Sequence, residues 1–153
     1  MTHNDISIAE TTNLDDFKQL LSIFHEVFEM DDAVMQPDEH LRGILEMPMF
    51  KVILARTGDR VIGGLTFHIL PQYYTTTPQV YLYDLGVTSS MQRHGVGTML
   101  VAALKDYCNK HGMEEFYVQA DREDTQAVNF YRSTNATREA DVLHFTYSEL
   151  GSS

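Results

Sequence analysis

An apolar run, Val80-Tyr-Leu-Tyr-Asp-Leu-Gly-Val87, leads to Gln92-Arg93-His94-Gly95-Val96-Gly97-Thr98, and an amphipathic stretch, Met99 to His111, follows at once. The order strand, glycine turn, helix constrains the fold more than any other segment of the chain. A helix that starts straight after a glycine turn presents several unpaired backbone N–H groups, and the positive end of its macrodipole, at one point. That is a ready site for a phosphate or pyrophosphate. A glycine pair alone says little, since such pairs also occur in ordinary loops. The strand before it, the helix behind it and Gln92-Arg93 ahead of it make the pattern specific.

At 153 residues the chain has the length of one domain and can bury a real core. Its longest apolar runs, such as Val52 to Ala55, are too short to span a bilayer. The N-terminus, Met1-Thr-His-Asn-Asp, has neither the basic start nor the apolar middle of a secretory signal. A cytoplasmic location is the simplest account. The single cysteine, Cys108, excludes an internal disulfide, and no Cys/His spacing suggests zinc, so no metal is expected. A net charge of −11 argues against nucleic acid or an acidic membrane surface as partner and favours a cationic ligand. Acidity also serves solubility, so the placement of the acids has to decide.

Ile6 to Ile8 reads as an opening strand. Leu14, Phe17, Leu21, Phe24 and Phe28 recur at three- and four-residue steps and predict a helix from Leu14 to Phe28, with Asn13 as N-cap. Pro37 opens a second helix with Leu41, Ile44 and Leu45 on one face. Lys51 to Arg56 and Val61 to Leu70 are strand-like around the hairpin signature Thr57-Gly58-Asp59-Arg60. A polar loop, Tyr73 to Pro78, precedes Val80 to Val87, which is apolar or aromatic on both faces and therefore predicted to be central. After the long helix, stopped at Gly112, come a strand over Phe116 to Ala120, a helix over Gln126 to Ser133 and a closing strand over Leu143 to Tyr147. The order β-α-α-β-β-β-α-β-α-β gives an α/β fold: a mixed, mostly antiparallel central sheet with helices on both faces.

These residues resemble the GCN5-related N-acetyltransferases, which use acetyl-CoA. Gln92-Arg93-His94-Gly95-Val96-Gly97 is similar to that family's pyrophosphate motif, Gln/Arg-x-x-Gly-x-Gly/Ala. Ala127-Val-Asn-Phe-Tyr131 is similar to its later motif, a helix ending in a Tyr beside the CoA thiol. Tyr81-Leu-Tyr-Asp-Leu-Gly-Val87, Tyr117-Val-Gln-Ala-Asp121, His144-Phe145 and Ile69-Leu-Pro71 together resemble the type I aminoglycoside 3-N-acetyltransferases. The superfamily likeness spans nearly the whole chain as a single acetyltransferase domain, 1–153; the subfamily likeness rests mostly on residues 69 to 145. Two departures stand out. Asn135-Ala136 occupies the place of the family's Gly-Phe, and Asn is the non-glycine residue that best tolerates a left-handed cap. Thr88 to Met91 replaces the commoner link after the strand.

The resemblance implies an enzyme that acetylates the 3-amino group of a gentamicin-like aminoglycoside, conferring resistance, by direct transfer in a ternary complex. The backbone N–H groups of Arg93, His94, Gly95, Val96, Gly97 and Thr98 would hold the pyrophosphate, with a charge-assisted contact from Arg93. Leu85, Gly86 and Val87 would pair with the pantetheine arm like an added strand. An N–H near Leu85 would then face the acetyl oxygen, a type of contact worth about 3 kcal/mol of barrier. Asp84 is an acid inside an otherwise apolar strand. A carboxylate there is costly to bury without a cation or donors, and a bound ammonium group would offset that cost. Asp84 is thus expected to orient the amine and take its proton, its other reading being a structural acid bonded to nearby backbone. Tyr131 either protonates the leaving thiolate or only positions the thiol.

A polycationic acceptor needs acids around it. Glu26, Glu29, Asp31 and Asp32 gather at the end of the first helix, and Asp121, Glu123 and Asp124 after the late strand; each set also reads as caps or a solvated face. Glu29, Asp121 and Asp124 are the expected acceptor contacts, with His25 as a possible base at the same cleft and Tyr74, beside Tyr73, as a surface for sugar rings. His25 and His144 also read as packing residues, and Cys108 reads as core. The remaining readings are an acetyltransferase of a polyamine or protein amine, and a non-catalytic acyl-CoA-sensing domain. Relatives often form homodimers, which the closing strand permits.

Overall fold

The computed structural model describes residues 5–151, in two compact units that divide between Gln119 and Ala120. In the first, β1 (Ile6–Thr11), α1 (Leu14–Val27), α2 (Asp38–Leu45), β2 (Phe50–Thr57), β3 (Arg60–Leu70), β4 (Gln79–Val87), α3 (Val96–Lys110) and β5 (Phe116–Tyr117) follow in order. The strands form one sheet in the sequence β1-β2-β3-β4-β5. Pairing is antiparallel through β4, and β5 joins β4 in parallel. The mixed, mostly antiparallel sheet is the one expected from the sequence.

Each side of the sheet has its helices. Asn13 caps α1 by accepting from the Asp16 N–H at 3.0 Å, as its sequence position predicts. Phe17, Leu20, Ile23 and Phe24 of α1 and Leu41 of α2 bury against Phe50, Val52 and Leu54 of β2. The alternate residues of the sheet point the other way, where Phe67 of β3 meets Tyr107 of α3 edge-on at 4.9 Å. The stripe that α1 buries is turned slightly from the predicted one: Leu20 is fully buried, whereas Phe28 lies at the C-cap, 40% exposed.

Two glycines bring α1 close to the sheet. Gly64 and Gly86 face each other across β3 and β4. A Cβ on Gly64 would lie 2.8 Å from Leu20 Cδ1, and one on Gly86 2.9 Å from Phe24 Cδ1. Only hydrogen fits at either place, so the first helix sits directly on the backbone of the two central strands.

The pairing of β3 with β4 slips by one residue. Thr66 faces Asp84 and Phe67 faces Leu82, so Tyr83 is a bulge. The slip changes which side chains share a face. Gly86 and Asp84 lie on the α1 side; beyond the bulge Tyr81, paired with His68, lies there too. In an unbroken strand Tyr81 and Asp84 would point to opposite faces.

Two expected strands differ. β5 is confined to Phe116 and Tyr117, paired with Val80 and Tyr81, and does not reach Ala120. The ladder ends just before the bulge, where a bent and more twisted β4 turns away from a parallel neighbour. No strand forms over Leu143–Tyr147 among the described residues. Alternating apolar residues mark which face a strand would bury, but a strand exists only where a ladder of hydrogen bonds is made.

The second unit, taken by itself, carries α4 (Thr125–Arg132). Asp124 caps it by accepting from the Ala127 N–H at 3.1 Å. Its end is closed by Ser133 and Thr134, whose hydroxyls donate to the carbonyls of Phe130 and Tyr131. Asn135 follows at φ +63°, the left-handed conformation anticipated for it. Arg132 then holds Glu139 through two bonds of 2.9 and 3.0 Å.

Candidate active site

The turn behind β4 is fastened at several points. Thr88 N–H donates to the Ile62 carbonyl at 2.8 Å, and the Gln92 side chain donates to the Val87 carbonyl at 3.0 Å. Glu26, from α1, accepts from both the N–H (3.2 Å) and the hydroxyl (2.5 Å) of Ser89. These donors hold its carboxyl below the usual glutamate value, the Ser89 hydroxyl contributing most. Thus the Gln of the motif and an acid expected on an acidic face both tie the turn in place.

Arg93 at φ +65° and Gly95 at φ +79° turn the chain into α3. Glycine takes this conformation freely; arginine does not, and strain of that kind gathers at functional turns. Gly95 is the N-cap and makes no side-chain capping bond. The first helical bond runs from the Met99 N–H to the Gly95 carbonyl at 3.0 Å. The N–H groups of Val96, Gly97 and Thr98 therefore lie in the first turn, ahead of the intrahelical ladder, at the positive end of a 15-residue helix. Val96 is buried and anchors that turn, while Arg93, His94 and Thr98 are exposed. Donor-rich, glycine-capped and basic at Arg93, the turn suits a pyrophosphate.

Leu85, Gly86 and Val87 pair with Leu65, Gly64 and Gly63 on one edge of β4. On the other edge β5 reaches only Tyr81. Asp84 lies between the stretch covered by α1 and the bulge. It is partly buried, opposite the buried Thr66, and burial raises its carboxyl above the ordinary 3.8. No ion pair to it is found among the described residues. A carboxylate so placed is costly to keep charged without a cation or donors.

At the end of α1, the Met30 N–H reaches the His25 carbonyl at 2.9 Å and Glu29 sits at φ +55°. His25 is in the last turn of this helix, which lies over Gly86, so His25 and Glu29 belong to the same unit as Asp84 and the turn. Tyr74, 84% exposed, packs on Tyr73 with ring centres 4.5 Å apart. Tyr131, Asp121 and Asp124 are in the second unit: Tyr131 on α4 with its ring edge-on to Phe130, Asp124 as the cap of α4, Asp121 exposed before it. His144 is exposed in that unit. Cys108 is buried on α3, and burial raises its thiol, as suits a core residue. Sequence reasoning passed over His68, Tyr81, Tyr83 and Tyr117 as site residues; their rings join beside Asp84's strand because of the bulge, which has no sequence signature here.

A β4–β5 pairing that ends at Tyr81, a bulged β4 and a donor-rich glycine turn feeding a long helix fit an acyl-CoA-dependent transferase. The chain belongs to the acetyltransferase (GNAT) family, whose members use acetyl-CoA; the match spans residues 14–135. It is similar to the aminoglycoside acetyltransferase meta-AAC0020 from an uncultured soil metagenomic sample, solved in complex with sisomicin. The two are 39% identical, with a TM-score of 0.93 over 95% of this chain and 97% of that one. A second soil metagenomic aminoglycoside acetyltransferase, HMB0005, is 29% identical, with a TM-score of 0.82 over 94% and 97% of the two chains. The fold also matches the aminoglycoside N-acetyltransferase AAC(6')-Iy in complex with CoA, at 18% identity and a TM-score of 0.75 over 94% and 95%. No helix among the described residues is long and apolar enough to cross a membrane.

Proposed function

We propose that this acetyltransferase modifies the 3-amino group of gentamicin-like aminoglycosides, by direct transfer within a ternary complex, and so confers resistance. Asp84 carries the reading: a partly buried carboxylate, raised by burial and lacking a cation, on the strand that leads to the pyrophosphate turn. The likeness to meta-AAC0020 supports an aminoglycoside acceptor. The choice of the 3-amino group rests on the resemblance of the Tyr81–Val87, Tyr117–Asp121 and His144-Phe145 segments to type I enzymes.

Acetyl-CoA, when bound, supplies an activated acetyl thioester open to a neutral amine. The N–H groups of Val96, Gly97 and Thr98, with Arg93 and the backbone of His94 and Gly95, hold the pyrophosphate. The β4 edge from Leu85 to Val87 aligns the pantetheine arm. Asp84 binds the acceptor's ammonium group and then accepts its proton, directly or through one water, releasing the nucleophilic amine. Tyr131 offers its hydroxyl to the departing sulfur. Glu29, His25, Tyr74, Asp121 and Asp124 hold the other groups of the polycation. No covalent acetyl-enzyme is needed, because amine and thioester react while both are held.

The test is thiol release from acetyl-CoA on addition of gentamicin, spermidine or a lysine peptide, with the product's acetylated nitrogen located by NMR. Gentamicin-dependent release, acetylation at the 3-amino group and protection of a susceptible host are expected. Release with spermidine or peptide alone would reassign the acceptor. Tight CoA binding without release with any amine would make the chain a sensor.

A further inference from the structure

Six aromatic side chains run in contact along the α1 side of the sheet, from core to surface. Phe17 meets Phe50 edge-on at 5.9 Å, and Phe50 meets His68 at 5.3 Å. His68 meets Tyr83 at 5.5 Å, and Tyr83 meets Tyr81 at 5.8 Å. Tyr81 stacks on Tyr117 with centroids 4.8 Å apart and planes 13° from parallel. The inner end is closed, with Phe17 and Phe50 at 3% and 8% exposure; the outer end is open, with Tyr83 at 57% and Tyr117 at 37%. Burial explains the inner rings. It does not explain tyrosines lined up at the surface, where Tyr83 and Tyr117 still face water; contiguous exposed apolar surface is a common feature of binding sites.

The rings hold one another, and the Tyr81 hydroxyl donates to the Gln119 side-chain oxygen at 3.4 Å. A platform set in advance costs little ordering on binding. Its chemistry is specific. The faces of tyrosine rings are electron-rich and attract cations and the positive edges of C–H groups. Asp84, on the same face of β4, adds a full negative charge. A linear polyamine needs a row of acids but no flat surface. A sugar ring bearing ammonium groups needs both, since neighbouring ammonium groups make its C–H face positive.

We infer that Tyr81, Tyr83 and Tyr117, braced by His68, form a stacking platform for an amino-sugar ring of the acceptor whose reacting amine is held at Asp84. This rests on the aminoglycoside reading above, and it adds the residues that select a cyclic polycation over a linear one.

Tyr83→Leu and Tyr117→Leu, both at partly exposed positions, test it alongside Tyr83→Phe. The two leucine variants are expected to raise KM for gentamicin roughly three- to thirtyfold with little change in kcat, as fits the loss of a single cation–π contact. Tyr83→Phe keeps the ring face and should stay near wild type. In parallel, NMR of sisomicin with the wild-type enzyme should show upfield ring-current shifts of sugar C–H protons, reduced by Tyr83→Leu and kept by Tyr83→Phe. Unchanged KM in both leucine variants, or a phenylalanine variant as impaired as leucine, overturns the platform while leaving aminoglycoside acetylation intact. A wild-type enzyme that acetylates no aminoglycoside defeats the proposed function instead; unshifted sisomicin protons would then dismiss the platform as well.

Discussion

Glu26 and Ser89 are 63 residues apart in the chain, yet the Glu26 carboxylate takes both the N–H and the hydroxyl hydrogen of Ser89. Through that pair the end of α1 holds the link between β4 and the turn that opens α3. Glu26→Ala is expected to raise the Kd for acetyl-CoA roughly three- to tenfold, with kcat little changed, as follows from the loss of hydrogen bonds to a charged acceptor. Calorimetric titration with CoA measures it. The bonds also set a pH dependence. They lower the folded-state pKa of Glu26 below 4.5, so their stabilisation is present above that value. It is lost as pH falls through the lowered pKa, and acid unfolding of Glu26→Gln should lack this contribution.

Asp84→Asn separates activity from stability. Losing the proposed acceptor of the amine's proton is expected to reduce kcat/KM by about 10²- to 10⁴-fold. Retention of near-normal turnover would exclude Asp84 as the base. The stability effect has the opposite sign. Burial raises the folded pKa of Asp84 above 3.8, so the native state holds this proton more tightly than the unfolded chain. The ionised group therefore destabilises the fold increasingly as pH rises from 3.8 through that raised pKa. Asp84→Asn should increase Tm at neutral pH and leave it nearly unchanged in strong acid. With Asp84 as the proposed base, the acid limb of the wild-type kcat/KM profile should lie above 3.8.

Gly86→Ala forces a methyl group to within 2.9 Å of Phe24 and 3.1 Å of Val27. Either α1 lifts or its side chains leave their rotamers, at a cost of about 1–3 kcal/mol. Thermal unfolding should show this as a lower Tm. Because Gly86 is next to Leu85 on the proposed cofactor edge, the KM for acetyl-CoA should rise too.

Glu29 occupies a left-handed position, φ +55°, just after α1, equivalent to the one Gly112 takes after α3. A residue with a Cβ is strained there by about 1 kcal/mol or more. Glu29→Gly should therefore stabilise the fold by roughly that amount, measured by urea unfolding. If Glu29 also contacts the acceptor, the more stable variant will show a higher aminoglycoside KM.

Most elements were legible because each is written in local chemistry: Asn13 before a helical stripe, Thr57-Gly58-Asp59-Arg60 between two β-branched runs, Gly95 before Val96. The anomaly of Asp84 was also legible, since an acid in an apolar strand announces its own cost. What escaped depends on pairing. The bulge at Tyr83 comes from how β3 and β4 register, and without it His68 and Tyr81 are isolated residues on separate strands. Glu26 looked like one more surface acid, because its partner is remote in sequence. The strand expected at Leu143–Tyr147 shows the converse: the alternation is there, but it names no partner.

The bulge also gives β4 two phases. From Asp84 onward, even-numbered residues serve the α1 side; below Tyr83, odd-numbered Tyr81 does. A substitution scan along this strand should therefore show a pattern of tolerance that inverts at Tyr83. A one-residue slip that paired Tyr83 and erased the bulge would restore perfect alternation and, in doing so, send Tyr81 into the α3 side of the sheet. At this strand, regularity would be the lesion.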